Sequence, residues 1–171
     1  MKAYLLPLCA LAFAAPAQAG EVFGGLYFHD VDTPLTKSGV EGGVDLQLGY
    51  RSDPLMGGKG PQAYVHANAN SAGNTHFAAA GLAFKFGETV YVRPALGLAI
   101  HTGSAKKYDV PGNGRIEFGS RVLFAPELAI GTKVGDRASI EASWVHLSHA
   151  QIFSSQNPGM DNFGLRLNWK L

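Results

Sequence analysis

The sequence predicts an all-β fold, an eight-stranded antiparallel β-barrel of the outer-membrane type. Apolar and polar residues alternate in eight segments, most of them near the roughly 9–11 residues that a tilted membrane strand needs. The first residues are predicted to form a secretory signal, and no later apolar run is long enough for a transmembrane helix. Within the segments, the charged residues lie opposite the apolar residues, as expected where one face meets lipid and the other a polar interior.

Residues 1–19 are predicted to form a signal peptide. A positive N-terminus precedes an apolar stretch at residues 5–15 and a small-residue cleavage site, Ala-Gln-Ala, at residues 17–19. The apolar stretch is shorter than the roughly 20 residues of a membrane span, which disfavours an anchoring helix. Because Cys9 lies in the signal, the remaining domain, residues 20–171, has no cysteine and must be stable without a disulfide although it is exported.

The exported domain is electrically balanced. Lys2 is one of 14 Lys and Arg residues, so its loss with the signal leaves 13 basic residues beside 13 acidic ones. Because the chain has no basic tract, no nucleic acid partner is expected. His29, Asp30 and Asp32 lie close together but lack the spacing of a metal site, and we predict neither a metal nor another cofactor.

The first four segments are residues 21–28, 43–51, 62–69 and 75–86. Successive side chains of a strand point to opposite faces, so residues two apart share a face. In the second to fourth segments, one side is apolar and consists of Val44, Leu46, Leu48, Tyr50, Ala63, Val65, Ala67, Ala69, Ala78, Ala80, Leu82, Phe84 and Phe86. The other side carries the polar residues Asp45, Gln47, Arg51, Gln62, Tyr64, His66, Asn68 and Lys85.

The last four segments are residues 90–100, 116–130, 139–148 and 162–171, and they alternate in the same way. Their apolar side consists of Val90, Val92, Pro94, Leu96, Leu98, Ile100, Phe118, Val122, Phe124, Leu128, Ile130, Ile140, Ala142, Trp144, Phe163, Leu165, Leu167, Trp169 and Leu171. Their opposite side carries charges of both signs, namely Arg93, Glu117, Arg121, Glu127, Glu141 and Arg166. Such charges fit the filled, polar interior of an eight-stranded barrel. A soluble sandwich would show the same alternation with the apolar side packed inward, but the signal, the missing cysteines and the even strand number favour the barrel.

The connections between segments indicate an orientation. Residues 30–42, 102–115 and 149–162 form long connections on one side, whereas residues 87–88 and 134–137 form tight turns on the other. Long connections outside and short ones in the periplasm are usual for outer-membrane barrels, so the N-terminus is expected in the periplasm. The connection at 52–61, rich in Gly and Pro, is an exception to this pattern.

Polar residues interrupt the predicted lipid face near the C-terminus. His146 and Ser148 follow Trp144 at intervals of two residues and so share its face. Asp161 precedes Phe163 by two residues and so shares the face of Phe163. Polar groups on a lipid face cost free energy, which favours a functional explanation. The backbones of His146 and Ser148 are about 6.6 Å apart along a strand, and antiparallel pairing would bring Asp161 beside the histidine. We therefore predict a triad with Ser148 as nucleophile, His146 as base and Asp161 as supporting acid. A His-x-Ser pair that arose by chance at a barrel rim is the alternative.

A resemblance to a known family rests on the same residues. The segment Trp144-Val145-His146-Leu147-Ser148-His149-Ala150, followed by Asn157-Pro158-Gly159-Met160-Asp161, resembles the signature of PagL-type lipid A 3-O-deacylases, also called acyloxyacyl hydrolases. The resemblance implies an eight-stranded outer-membrane barrel that hydrolyses the ester-linked 3-hydroxyacyl chain at the 3-position of lipid A in lipopolysaccharide, without a metal. It also implies that His146, Ser148 and Asp161 are the catalytic residues.

The chain departs from that signature at several positions. The family acid is often glutamate, the loop between the serine and the acid is one residue longer here, and His149 stands where asparagine often follows the serine. We consider His149, Asn157 and Gly159 as candidates for stabilising the oxyanion. The Asn157-Pro158-Gly159 turn signal is equally well explained as a loop that sets the start of the last strand. Cations in outward loops are candidates for contacts with lipid A phosphates or are ordinary solvated charges; they are Lys37, Lys106, Lys107 and Arg115.

Other functions remain open at this point. A small barrel with a degenerate site, acting as a structural or adhesin-like protein, would share the alternation and the signal. An outer-membrane phospholipase would share the triad, and a soluble periplasmic lipid carrier would share the export signal. The sequence predicts neither the oligomeric state nor a preferred acyl-chain length.

Overall fold

The structure, a computed structural model, describes residues 20–36, 39–58, 60–108, 110, 112–152 and 157–171. The predicted signal peptide and the phosphate candidate Lys37 lie outside the described residues. The β-segments in chain order are β1 (Glu21–Phe28), β2 (Val44–Arg51), β3 (Gln62–Asn70), β4 (Phe77–Ala83), β5 (Phe86–Gly87), β6 (Val90–His101), β7 (Val122–Lys133), β8 (Ala138–Leu147) and β9 (Met160–Lys170). Because β4 and β5 both pair with β6, they are two parts of one strand, interrupted at Phe84 and Lys85.

The strands close into an antiparallel barrel. Each strand pairs with its neighbours in the chain, and the first strand, β1, pairs with the last, β9. Closure leaves the described strands without an exposed sheet edge, which a bilayer would not tolerate. The predicted eight-stranded antiparallel barrel is therefore confirmed. No helix among the described residues is long and apolar enough to cross a membrane.

The two faces of the barrel wall have opposite character. Arg166 points inward and is 1% exposed, whereas its neighbour Leu165 points outward and is 63% exposed. Buried charges need partners, and Arg166 donates to Glu141 (2.6 Å) and to Glu127 (2.5 Å). On the outer face, every strand exposes at least one large aliphatic or aromatic side chain. This distribution is that of a membrane barrel and is the reverse of a soluble sandwich.

One predicted strand begins later than expected. The sequence suggested a segment at 116–130 with Phe118 facing outward and Arg121 facing inward, but β7 begins at Val122. Phe118 is instead buried in the barrel mouth, with its ring 4.5 Å from that of His101. Arg121 is exposed at the rim and donates to the carbonyl of Gly103 (2.7 Å). These predictions were wrong because residues 116–121 belong to the connection before β7. Residues 116–119 are buried in protein instead of facing lipid.

The two ends of the barrel differ. At the end that we call the loop end lie the connections 29–43, 71–76, 102–121 and 148–159, whereas Gly20, Leu171 and the remaining connections lie at the terminal end. A loop-end cluster, formed by His29, Glu41 and Asp45, joins several of these connections. Glu41 accepts hydrogen bonds from His29 Nε2 (3.1 Å) and from the backbone N–H groups of Thr75 (2.9 Å) and Ile116 (3.2 Å). His29 Nδ1 also contacts Asp45 at 2.9 Å.

Candidate active site

The pairing of β8 with β9 brings two of the predicted site residues together. His146 lies directly opposite Asp161 in this pair, and His146 Nδ1 is 2.7 Å from Asp161 Oδ1. Both side chains lie on the outer face of the wall, with Trp144 and Phe163 as the next residues along that face. The Asp161 side chain is fully enclosed, whereas that of His146 is 12% exposed. The imidazole is thus accessible from outside the barrel while the carboxylate is shielded behind it.

Ser148 continues the same outer face beyond the end of β8. Its backbone pairs with Phe124, through bonds of 2.7 Å and 3.1 Å, in the same register that places Leu128 opposite Trp144. This register puts Pro126 opposite His146, and the ladder is interrupted there because proline has no N–H to donate. Ser148 is 7% exposed. Within the part of the chain that the structure describes, no hydrogen bond joins its hydroxyl to His146.

Asp161 has two further side-chain donors that the sequence analysis did not identify. The indole N–H of Trp144 donates to Oδ1 (2.8 Å), and the hydroxyl of Thr33 donates to Oδ2. Trp144 was predicted only as an apolar residue of the lipid face. Thr33 lies in the connection between β1 and β2, and nothing in its local sequence distinguishes it from other loop residues. Both oxygens of the carboxylate are therefore held by hydrogen bonds.

A tight turn follows Ser148. Ala150 (φ 52°) and Gln151 (φ 60°) both have left-handed backbone conformations, and Ile152 N–H donates to the carbonyl of His149 (3.0 Å). Two central residues with positive φ define a type I′ turn, which usually contains Asn or Gly. For alanine and glutamine this conformation costs about 1–2 kcal/mol each. Strained backbone of this kind is concentrated at functional sites, and here it reverses the chain directly after the predicted nucleophile.

The returning segment approaches His146 and the residue after Ser148. Asn157 Oδ1 accepts a hydrogen bond from the backbone N–H of His149 (3.1 Å), next to Ser148. Gly159 has φ +66°, and a Cβ atom at this position would lie only 3.0 Å from His146 Cε1. The glycine is thus required both by its backbone conformation and by the imidazole beside it. His149 is completely buried, whereas Asn157 is half-buried.

The remaining candidates lie apart from these residues. Lys106, Lys107 and Arg115 are exposed on the connection between β6 and β7, at the same end of the barrel as His146. Among the described residues, no group of three His, Cys, Asp or Glu side chains is arranged to hold a metal ion.

The sequence of the chain matches one known protein family. The model of the lipid A 3-O-deacylase (PagL) family matches residues 27–170. The chain belongs to the PagL family. The matched region runs from the end of β1 through β9 and contains all three residues of the predicted triad. No curated protein matches the chain.

Solved structures share the barrel of this PagL-family chain. The crystal structure of the outer membrane enzyme PagL has a TM-score of 0.60 at 16% identity, covering 88% of this chain and 99% of the other. The crystal structure of Ail, the attachment invasion locus protein of Yersinia pestis, has a TM-score of 0.52 at 13% identity, covering 90% and 99%. Neisserial surface protein A has a TM-score of 0.53 at 9% identity, covering 89% and 97%. These similarities show the fold, and they show that it is shared by proteins with other names and roles.

Proposed function

We propose that this protein is an outer-membrane esterase that removes the ester-linked 3-hydroxyacyl chain at the 3-position of lipid A. The observation that carries the proposal is the hydrogen-bonded His146–Asp161 pair, at 2.7 Å, in line with Ser148 on the lipid-facing wall of a PagL-family barrel. We propose that the protein lies in the outer membrane of a Gram-negative cell after removal of residues 1–19, with its loop end outside.

The assigned roles follow from the direction of the hydrogen bonds. Nδ1 of His146 donates to Asp161, which leaves Nε2 as the basic nitrogen. Nε2 takes the proton from Ser148 as Oγ attacks the ester carbonyl, forming a tetrahedral oxyanion. When this intermediate collapses, His146 returns the proton to the sugar oxygen, and the acyl chain stays on Ser148. Water, deprotonated by the same imidazole, then attacks the acyl-enzyme. The bond from the acyl carbon to Ser148 Oγ breaks, His146 returns the proton to Oγ, and a hydroxy fatty acid is released.

The missing Ser148–His146 hydrogen bond is compatible with this mechanism. Catalytic hydrogen bonds are often long or absent without substrate. Residues two apart on one face of a strand have backbones about 6.6 Å apart, and side chains can lean across this gap. We propose that Ser148 adopts a rotamer that directs its hydroxyl to Nε2 when the substrate binds.

Asn157 is the proposed oxyanion donor. Its amide oxygen is occupied by the His149 N–H, so its amide nitrogen is the group left to donate beside Ser148. His149 is fully buried and is assigned a packing role in the turn rather than direct contact with the oxyanion. Gly159 is assigned the role of leaving room for the imidazole.

The position of the site suits an ester that lies near the headgroup boundary of the outer leaflet. Trp144 and Phe163 line the apolar wall beside the proposed triad, while exposed cations lie at the same end of the barrel. We propose that Lys37, Lys106, Lys107 and Arg115 contact the lipid A phosphates, since phosphate oxygens accept strong hydrogen bonds from cationic side chains. The lipid need not enter the lumen, which is filled by side chains such as Arg166 and Glu141.

The proposal is tested with purified protein in detergent micelles. Wild type and Ser148→Ala are each incubated with lipid A and with a glycerophospholipid, and the products are analysed by mass spectrometry. We expect wild type to release a 3-hydroxy fatty acid from lipid A, and Ser148→Ala to be slower by about 10³-fold or more. Intact lipid A with both proteins would indicate a barrel without this activity, and preferential cleavage of the phospholipid would indicate a phospholipase.

A further inference from the structure

We propose that Thr33, in the connection between β1 and β2, is a positioning residue that fixes the orientation of the Asp161 carboxylate. This inference rests on the proposed function, because it assigns Thr33 a part in the same reaction. It extends the site from β8 and β9 to a connection 128 residues away in the sequence.

The contacts of Asp161 divide between its two oxygens. Oδ1 receives Nδ1–H of His146 and the indole N–H of Trp144, whereas Oδ2 receives the Thr33 hydroxyl. The terminal torsion of an aspartate is soft, so a carboxylate held at one oxygen can still rotate about its Cβ–Cγ bond. The hydroxyl of Thr33 removes that freedom and keeps Oδ1 directed at the imidazole.

The hydroxyl of Thr33 is itself oriented. Its oxygen accepts the backbone N–H of Leu35 (3.1 Å), and its proton is directed to Asp161. The same connection is attached to β9 by the N–H of Val31, which donates to the carbonyl of Asp161 (2.7 Å). The N–H of Asp30 donates to Asn162 Oδ1 (3.1 Å). Three hydrogen bonds therefore join the connection to adjacent residues of β9.

The base of the connection is also fixed. The carboxylate of Asp30 accepts the N–H groups of Val40 (3.0 Å) and Glu41 (2.9 Å), which closes the connection on itself. Glu41 then joins it to the loop-end cluster through His29. The connection also comes close to Gly159, because a Cβ atom at that position would lie 3.4 Å from the carbonyl oxygen of Leu35. The backbone that carries Thr33 is thus fixed by hydrogen bonds at its base and to β9.

Isosteric variants separate this role from packing. Thr33→Val keeps the shape and removes the hydroxyl, whereas Thr33→Ser keeps the hydroxyl. We expect Thr33→Val to lower kcat for lipid A by about 10-fold with KM changed by less than about 2-fold, and Thr33→Ser to retain kcat within about 3-fold of wild type. Thr132→Val, at an exposed threonine near the terminal end of β7, is the control and should match wild type.

A second comparison tests whether Thr33 acts through Asp161. In an Asp161→Asn background, adding Thr33→Val should cause less than about 2-fold further loss, because residues acting through one group are not additive. If valine prevents folding, Thr33→Ala replaces it in both comparisons. An unchanged kcat for Thr33→Val, or equal losses of kcat in Thr33→Val and Thr33→Ser, would overturn the inference. The proposed function would still stand in that case, provided that the wild-type protein is active. Inactive wild-type protein would overturn both.

Discussion

His146 and Asp161 face each other across β8 and β9, with Nδ1 2.7 Å from Oδ1, on a wall that presents mainly apolar side chains outward. A polar pair of this kind is costly next to hydrocarbon unless its hydrogen bonds are made. Here Thr33 and Trp144 complete the bonding of the carboxylate, and its side chain is fully enclosed. The imidazole remains partly exposed, which is the arrangement that a base on the outer wall requires.

Replacing the acid should affect turnover more than folding. Asp161→Asn keeps the size of the side chain but cannot hold the imidazole in the same tautomer or stabilise its cation. We expect kcat to fall by about 10²–10⁴-fold while the urea midpoint of unfolding changes little, and Asp161→Glu to retain part of the activity because it keeps the carboxylate. Wild-type turnover in Asp161→Asn, or failure of that variant to fold, would contradict the assigned role.

Gly159 should be intolerant of a side chain for a reason specific to the site. In Gly159→Ala, the new Cβ would lie 3.0 Å from His146 Cε1, at a residue with φ +66°. We expect kcat to fall by about 10-fold or more, because displacement of the base by a few tenths of an ångström disturbs catalytic geometry. The control is Gly73→Ala, which has a similar φ of +75° but nothing within 4 Å of its Cβ. A similar loss of activity in both variants would show that backbone strain alone is responsible.

The loop-end cluster should make stability depend on pH. Burial disfavours the charged form of His29, but its hydrogen bonds to Asp45 and Glu41 and their charges outweigh this effect and raise its pKa from 6.5 to about 9. Since the folded state binds the proton more tightly, this stabilisation is complete below about pH 6.5 and is lost as the pH rises to about 9. Burial also raises the pKa of Glu41, but the hydrogen bond from His29 and those from Thr75 lower it overall.

Urea unfolding of wild type and His29→Gln at pH 6 and pH 9.5 measures this dependence. We expect the wild-type midpoint to fall over this interval and the midpoint of the variant to change less, because glutamine does not titrate. Equal shifts in the two proteins would assign the pH dependence to other groups.

The exposed cations of the loop between β6 and β7 should affect binding more than chemistry. Lys106→Ala with Lys107→Ala is expected to raise KM for lipid A by about 3–10-fold with kcat nearly unchanged. Removing the phosphates from the lipid A should abolish the difference between this variant and wild type. Lys133→Ala with Lys170→Ala, at the terminal end, provides the control. A raised KM that persists with dephosphorylated substrate would argue against phosphate contacts.

The alternation of residues was sufficient to predict the barrel because lipid and lumen impose opposite requirements on neighbouring side chains. For example, Glu141 and Arg166 pair with each other inside the barrel. Their neighbours in the sequence, Ile140 and Leu165, are exposed on the outside. The same rule failed at Phe118, which occupies an apolar position of the pattern but lies in a connection that folds into the mouth. Periodicity identifies an apolar side and does not say whether lipid or protein will cover it.

The predicted site could be read from the sequence only in part. It could be predicted that His146, Ser148 and Asp161 share a face, because β8 and β9 are recognised by local alternation and are joined by a single connection. Thr33 could not be found in this way, because its contact with Asp161 depends on β1 pairing with β9 when the barrel closes. The turn at Ala150 and Gln151 also gave no signal, since neither residue type favours the left-handed conformation.

The lipid A mass spectrum of cells tests the central claim most directly. Lipid A would be extracted from Gram-negative cells that express wild type, Ser148→Ala or no copy of the protein, with equal amounts of folded barrel verified in the outer membrane. Wild type is predicted to yield lipid A lacking one 3-hydroxyacyl chain at the 3-position, and the other two samples to yield intact lipid A. Identical spectra from all three, or loss of the chain with Ser148→Ala, would contradict the account.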